Sequence, residues 1–295
     1  MITVNHVVKT FDGFRALDDL SISVPDGAVY GLVGPNGAGK TTILRHLTGV
    51  MRPDAGQVLV DGAPVFENTA VKRRITAIPD EIYYFPQASI REMMRFYRGV
   101  YPRFDEALYK TLGEAFGLDE RLAMRKLSKG QRKQAAFWLA MCTRPDYLLL
   151  DEPIDGLDPV MRRQVWSLLL DDAAARGVTV LVSSHNLREL EDVCDHVGIM
   201  DRGKMLLERA LSELQDNIVK VQLVTENALP PDLTVLHRAA SGRVQTLIVR
   251  GQQHAVSDRI GATLPIFYDI LPLSLEEIFI YELGGVDYAV KSIVL

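Results

Sequence analysis

A chain of 295 residues, 47% hydrophobic and 24% charged, has the composition of an ordinary globular protein and the length for one large domain or a main domain with an appendage. Its 38 acidic residues outweigh its 33 basic ones, and the net charge of −5 lacks the basic excess of a general nucleic-acid binder. No nucleic-acid partner is expected, and any anion site has to be built locally. No stretch reaches the roughly 18 apolar residues of a spanning helix, the longest run being 135–142. Met1-Ile2-Thr3-Val4-Asn5-His6 has no signal-peptide pattern and two cysteines make no disulfide framework, so a cytoplasmic location is expected.

Residues 1–27 alternate apolar and polar side chains (Ile2, Val4, Val7; Ile22, Val24), which predicts antiparallel strands. Between them Phe11-Asp12-Gly13-Phe14 leaves two readings open for Phe11, a ring stacked on an adenine or a core or turn aromatic. Residues 28–33 read as a short buried strand. Gly34-Pro35-Asn36-Gly37-Ala38-Gly39-Lys40-Thr41 then matches the phosphate-loop pattern G-x-x-x-x-G-K-[ST] in full, and Ile43, Leu44 and Leu47 share one face of a following helix that Gly49 ends. Turn signals at Pro53-Asp54-Ala55-Gly56 and Asp61-Gly62 flank a strand over 57–60. From about 86 to 143 the pattern is helical: Ser89 caps one run, and Asp105 starts another that Gly117 closes. The Met and aromatic stripes here, Met93, Met94, Phe96 and Tyr97, are read as core. β/α alternation resumes with a buried strand at 147–150, a helix from Asp158-Pro159 to before Gly177, and a strand at 178–182 ending in Ser183-Ser184-His185. A hairpin is expected around Ile199-Met200-Asp201-Arg202-Gly203-Lys204. After about Asn217 a smaller α+β unit follows, with no recognisable site.

The loop carries the first chemistry. Glycines let successive N–H groups turn toward phosphate oxygens, the helix N-terminus adds partial positive charge, Lys40 adds a full one, and Thr41 is left for Mg²⁺. A glycine-rich turn that binds nothing explains neither Lys40 nor Thr41. Asp151 and Glu152 end an apolar strand downstream, where one carboxylate can hold Mg²⁺ and the next polarise an attacking water. Leu127-Ser128-Lys129-Gly130-Gln131 starts a helix whose N–H groups and Ser128 hydroxyl form a second anion site, although alone it reads equally as a serine N-cap.

In this order the segments resemble the nucleotide-binding subunits of ATP-binding cassette (ABC) transporters over residues 1–215. GPNGAGKTT at 34–42 is similar to the family's Walker A loop, LSKGQ at 127–131 to its signature LSGGQ, and Asp151-Glu152-Pro153 to the end of Walker B. Gly156-Leu157-Asp158 is similar to the D-loop, and His185 to the switch histidine. The resemblance implies an α/β P-loop NTPase core of the ABC ATPase type, with an antiparallel β subdomain and a helical subdomain over about 86–143, followed by the C-terminal α+β unit at 216–295. It implies an ATPase that uses ATP and Mg²⁺. ATP contacts fall to Phe11, Asn36, Gly37, Ala38, Gly39, Lys40, Thr41 and Thr42, metal contacts to Thr41, Asp80 and Asp151, and catalysis to Glu152 and His185. Ser128, Lys129, Gly130 and Gln131 would act on the ATP of a second subunit, with Asp158 in the D-loop.

Two positions depart from the family pattern. Lys129 stands where the signature has a glycine, and Asp80 where the family carries its Q-loop glutamine, Gln87 coming later. A single cassette without membrane helices implies a peripheral ATPase at the cytoplasmic face of the membrane. Its implied partners are permease chains and a second ATPase subunit, identical or not. The run Ile154-Asp155-Gly156-Leu157-Asp158-Pro159, the C-terminal unit and Ser274-Leu275-Glu276-Glu277-Ile278-Phe279 are similar to ATPases of ABC-2-type exporters of the YtrB-like kind. Two other classes compete. A soluble ABC ATPase of translation or DNA maintenance would be expected to show paired cassettes or a long coiled-coil insertion, and a P-loop kinase or GTPase leaves the signature and His185 unexplained.

Overall fold

The chain begins with a hairpin in which β1 (Ile2–Phe11) and β2 (Phe14–Val24) pair antiparallel, with Asp12 and Gly13 at its tip in the left-handed region (φ 46° and 85°). These elements come from a computed structural model that describes residues 1–271 and 273–282. β3 (Val29–Val33), buried throughout, leads into the glycine-rich loop and α1 (Lys40–Leu47). β4 (Ala55–Val60) and β5 (Ala63–Pro64) add to the first sheet, whose order is β2-β1-β4-β5. A short α2 (Thr69–Lys72) precedes β6 (Ile75–Ile78). The alternation read in the sequence has its reason here: Ile2, Val4 and Val7 of β1 and Leu20, Ile22 and Val24 of β2 turn to a core shared with Ile43, Leu44 and Leu47 of α1. Each such buried side chain stabilises the fold by about 1.5–3 kcal/mol relative to exposure.

The helical segment comprises α3 (Ile90–Val100), α4 (Glu106–Phe116) and α5 (Lys129–Cys142). Ser89 and Ser128 each form a reciprocal capping box, with Glu92 and Gln131, and Asp105 caps α4. Capping by such residues contributes about 0.5–2 kcal/mol per helix. α4 and α5 meet where Trp138 stacks on Tyr109, ring centroids 4.6 Å apart, and donates its indole N–H to the Tyr109 carbonyl at 2.7 Å.

β7 (Tyr147–Asp151), α6 (Pro159–Arg176), β8 (Thr179–Ser184), β9 (His196–Asp201) and β10 (Lys204–Ala210) complete the second sheet, of order β10-β9-β3-β8-β7-β6. β9, β3, β8, β7 and β6 run parallel, so their C-terminal ends share one edge. Register fixes that edge: Val33 lies opposite Ser184, Asp151 opposite Ser183, and Ile78 opposite Leu150. The phosphate-loop segment, Asp80, Asp151-Glu152 and His185 therefore all leave the sheet on the same side, where open α/β sheets bind their ligands.

The remaining elements are α7 (Leu211–Asp216), β11 (Ile218–Val224), β12 (Thr234–Ser241), β13 (Val244–Arg250), α8 (Gln253–Gly261), β14 (Phe267–Leu271) and α9 (Leu275–Glu282). The strands form an antiparallel sheet of order β12-β13-β11-β14. Val219, Val221 and Leu223 of β11 alternate onto a core with Val256 and Ile260 of α8. The chain divides into two compact units, Met1–His185 with His196–Glu208, and Asn186–Asp195 with the residues from Arg209 onward. In the second unit Glu191 accepts from the Leu275 backbone N–H at 2.9 Å, and Arg188 pairs with Glu276 at 2.9 Å.

Candidate active site

The loop between β3 and α1 is shaped by glycine where no other residue fits. A Cβ on Gly34 would lie 2.3 Å from the Met200 carbonyl oxygen, and one on Gly39, whose φ is 107°, would lie 2.8 Å from that of Ala16. α1 starts at once from Gly39 with no side-chain cap and no acidic residue in its first turn. Its first N–H groups and its positive dipole end are therefore left open to an anion by the helix's own side chains. Lys40 is 6% exposed, and its ammonium donates to the Gly34 carbonyl at 2.6 Å and lies 3.4 Å from Glu152 Oε1.

Thr41 donates its hydroxyl to Asp151 Oδ2 at 2.8 Å. The other Asp151 oxygen, Oδ1, accepts from Ser183 Oγ at 2.5 Å, and the carboxylate is buried at the end of β7. A hydroxyl beside a carboxylate, both hard oxygen donors on rigid element ends, fits Mg²⁺, which binds proteins through one or two carboxylates plus substrate phosphates. Asp80 is engaged elsewhere: its Oδ1 lies 3.3 Å from Lys133 Nζ.

Glu152 is the most constrained residue here. Its φ of 46° is left-handed, and its N–H donates to both the carbonyl (3.2 Å) and the hydroxyl (3.1 Å) of Ser183. Its carbonyl accepts from Lys133 Nζ at 2.5 Å, and its carboxylate Oε2 lies 2.8 Å from His185 Nδ1. Lys40 from the start of α1, Glu152 after β7 and His185 after β8 are thus one contiguous group, with Glu152 15% and His185 51% exposed.

The signature segment packs against the D-loop of its own chain. Ser128 Oγ accepts the Gln131 N–H at 3.2 Å, so the serine is both helix cap and surface hydroxyl. A Cβ on Gly130 would lie 3.1 Å from the Gly156 carbonyl, and the Lys129 ammonium pairs with Asp155 at 2.6 Å. That hydrogen bond holds the Asp155 carboxyl below its ordinary range. Asp158 caps α6 through the Val160 and Met161 N–H groups, both at 3.0 Å. Phe11 sits near the β1–β2 tip, 39% exposed, its ring 5.6 Å from the Lys9 ammonium.

Three side chains that contact the candidate site residues escape a reading of motifs. Ser183 is a hydroxyl in an otherwise apolar strand, and that exception is its only local signal. Lys133 repeats the lysine of position 129 one helical turn later, before the unbroken buried run that ends at Cys142. Burial pushes its ammonium below the usual lysine range against the opposing pull of Asp80. Asp155 belongs to the run 154–159, but its pairing with a lysine 26 positions away has no mark in the sequence.

The family model for ABC transporters matches residues 17–155. The chain is 30% identical to the ABC transporter ATP-binding protein YtrB of Bacillus subtilis over 97% of this chain and 99% of that one. It is 30% identical to the Nod factor export ATP-binding protein I of Burkholderia lata over 96% and 97% of the two chains. Its fold is similar to that of a dimeric ATP-binding cassette bound to ADP and phosphate, with a TM-score of 0.65 and 20% identity over 72% of this chain and 99% of that one. Near full-length similarity and the ordered motifs agree, and the chain belongs to the ATP-binding subunits of ABC transporters, the ATPases whose hydrolysis of ATP drives transport.

Proposed function

We propose that the subunit serves an ABC-2-type exporter, hydrolysing ATP at an interface between two cassettes while docked on a separate permease at the cytoplasmic face of the membrane. The observation that carries the hydrolytic part is the contiguous Lys40–Glu152–His185 group beside Thr41 and Asp151. The export direction is supported by the similarity to the Nod factor export ATP-binding protein. No helix among the described residues is long and apolar enough to cross a membrane, in keeping with a separate permease. Tyr83, Phe85 and Phe96 are 74%, 53% and 47% exposed, and Phe85 and Phe96 meet edge to face with centroids 5.1 Å apart. Such an exposed aromatic cluster fits a protein partner, and we assign it to the permease.

In this reading Phe11 stacks on adenine, the N–H groups from Asn36 to Thr42 surround the phosphates, and Lys40 neutralises them. Thr41 and Asp151 would hold Mg²⁺, which when bound screens the phosphate charge, whereas Asp80, expected from the sequence as a metal contact, pairs with Lys133 instead. The Glu152 carboxylate takes a proton from the attacking water, and His185, hydrogen-bonded to it, holds its orientation and meets the γ-phosphate. Ser128, Lys129, Gly130 and Gln131 face the ATP held by the other cassette, with Asp158 beside them. Removing the base tests the core of this reading. Glu152→Gln is expected to keep ATP binding, to hydrolyse at least about 10²-fold more slowly, and to accumulate as an ATP-bound dimer. Lys40→Ala is expected to lose tight ATP binding with the fold intact. Turnover of Glu152→Gln within a few-fold of the unaltered protein would remove Glu152 from the role.

A further inference from the structure

One buried charge lies just outside the site as the motifs define it. Lys133, on α5, has a side chain 1% exposed. An ammonium taken so far out of water costs several kcal/mol unless it is paired and hydrogen-bonded. Its two partners are Asp80 Oδ1 at 3.3 Å and the backbone carbonyl of Glu152 at 2.5 Å. That carbonyl belongs to a non-glycine residue at φ 46°. Such a conformation costs about 1–3 kcal/mol and persists only where its surroundings over-determine it. Here they do: the Glu152 N–H is held by Ser183, and its carbonyl accepts from both the Asp155 N–H at 3.3 Å and Lys133. The lysine supplies the charge-assisted bond, the stronger kind.

We propose that Lys133 is a positioning residue for hydrolysis. Its buried ammonium fixes the left-handed backbone of Glu152, and with it the direction in which the carboxylate leaves β7, while Asp80 serves as counter-charge. The inference rests on Glu152 as the base. Lys133 stands on the helix that Ser128 caps, so the same contact ties the aim of the base to the helix carrying the signature. Asp80 and Lys133 then act as a unit, and the carboxylate at the position of the family's glutamine acquires a partner within its own chain.

Lys133→Met keeps the length of the side chain and removes its charge. Single-turnover hydrolysis at saturating Mg²⁺ and ATP, and ATP affinity, are measured in the full chain with and without Glu152→Gln. Lys133→Met is expected to slow hydrolysis about 10-fold or more with ATP affinity changed less than about twofold. In the Glu152→Gln background the same substitution should change the residual rate by less than about twofold, because a residue acting through a carboxylate has no effect once that carboxylate is gone. An unchanged rate in Lys133→Met, a parallel fall in ATP affinity, or an equal loss in both backgrounds would overturn the proposal. Near-normal turnover of Glu152→Gln would overturn the base assignment and this inference together, whereas an inactive Glu152→Gln beside a fully active Lys133→Met overturns this inference alone. If Lys133→Met does not fold, Asp80→Asn, which alters a half-exposed carboxylate, takes its place. About a threefold loss that vanishes in the Glu152→Gln background is then expected, and no loss, or the same loss in both, overturns the proposal.

Discussion

Ser183 serves two chemically different neighbours at once. Its hydroxyl donates to the buried Asp151 Oδ1 and accepts from the Glu152 N–H, joining the carboxylate proposed to hold Mg²⁺ to the backbone of the proposed base. Outer partners of this kind typically change metal affinity about 10–100-fold when removed. Ser183→Ala is therefore expected to raise the Mg²⁺ concentration for half-maximal hydrolysis by that factor while leaving Mg²⁺-free ATP binding unaltered, and a Mg²⁺ titration of both proteins checks it. An unmoved midpoint would separate Ser183 from the metal. At this scale the sequence is legible where chemistry demands a fixed spacing along the chain. Lys40 and Thr41 are spaced by the loop itself, and Asp151 and Glu152 are adjacent. Ser183 reaches the Asp151 carboxylate from 32 positions away and Lys133 the Glu152 backbone carbonyl from 19 positions away, and nothing local marks such a distance.

At the scale of elements, the packing of α4 on α5 depends on a glycine inside a helix. Gly113 lies against the Trp138 ring, where a Cβ would come within 2.6 Å of a ring carbon. The ring cannot easily retreat, being 2% exposed, stacked on Tyr109 and tied by its N–H. Gly113→Val is expected to destabilise the protein by about 1–3 kcal/mol through overpacking, read as a lowered denaturation midpoint at unchanged slope. Retained stability would mean that the helices part without cost. The helix ends themselves were readable: Ser89, Asp105, Ser128 and Asp158 each stand as the cap their residue type predicts, and Gly117 and Gly177 take the left-handed turn at the C-terminal ends. Caps act within four residues, so sequence shows them. The strand order β10-β9-β3-β8-β7-β6 is set by crossovers through helices and by which buried faces fit, and an apolar run such as Tyr147–Asp151 looks the same at any place in a parallel sheet.

At the scale of the molecule, a site shared between two cassettes makes a prediction that a self-contained ATPase cannot meet, given that the chain pairs with itself. Glu152→Gln is dead in its Walker half. Ser128→Arg places a bulky cation in the signature half. In a mixed dimer both lesions fall in one ATP site, and the other combines the intact Walker half of one chain with the intact signature of the other. Mixing the two inactive proteins under verified subunit exchange is expected to restore ATPase activity in proportion to the mixed dimers. Activity that never rises above that of the separate mutants would count against shared sites in a homodimer.

The division of the chain has a consequence for anyone who would cut it. The residues after His185, Asn186–Asp195, are part of the C-terminal unit, although they are interposed between two strands of the ATPase sheet. Leu187 and Leu190 are each 1% exposed, and Glu191 and Arg188 are bonded to α9. The C-terminal unit thus includes a loop that lies, in the sequence, between two strands of the ATPase sheet. A truncation before residue 209 that removes no residue of the candidate site would strip that loop of its partners one peptide bond from His185. In genetic terms, a stop codon before Leu275 would remove the partners of a loop that begins next to His185.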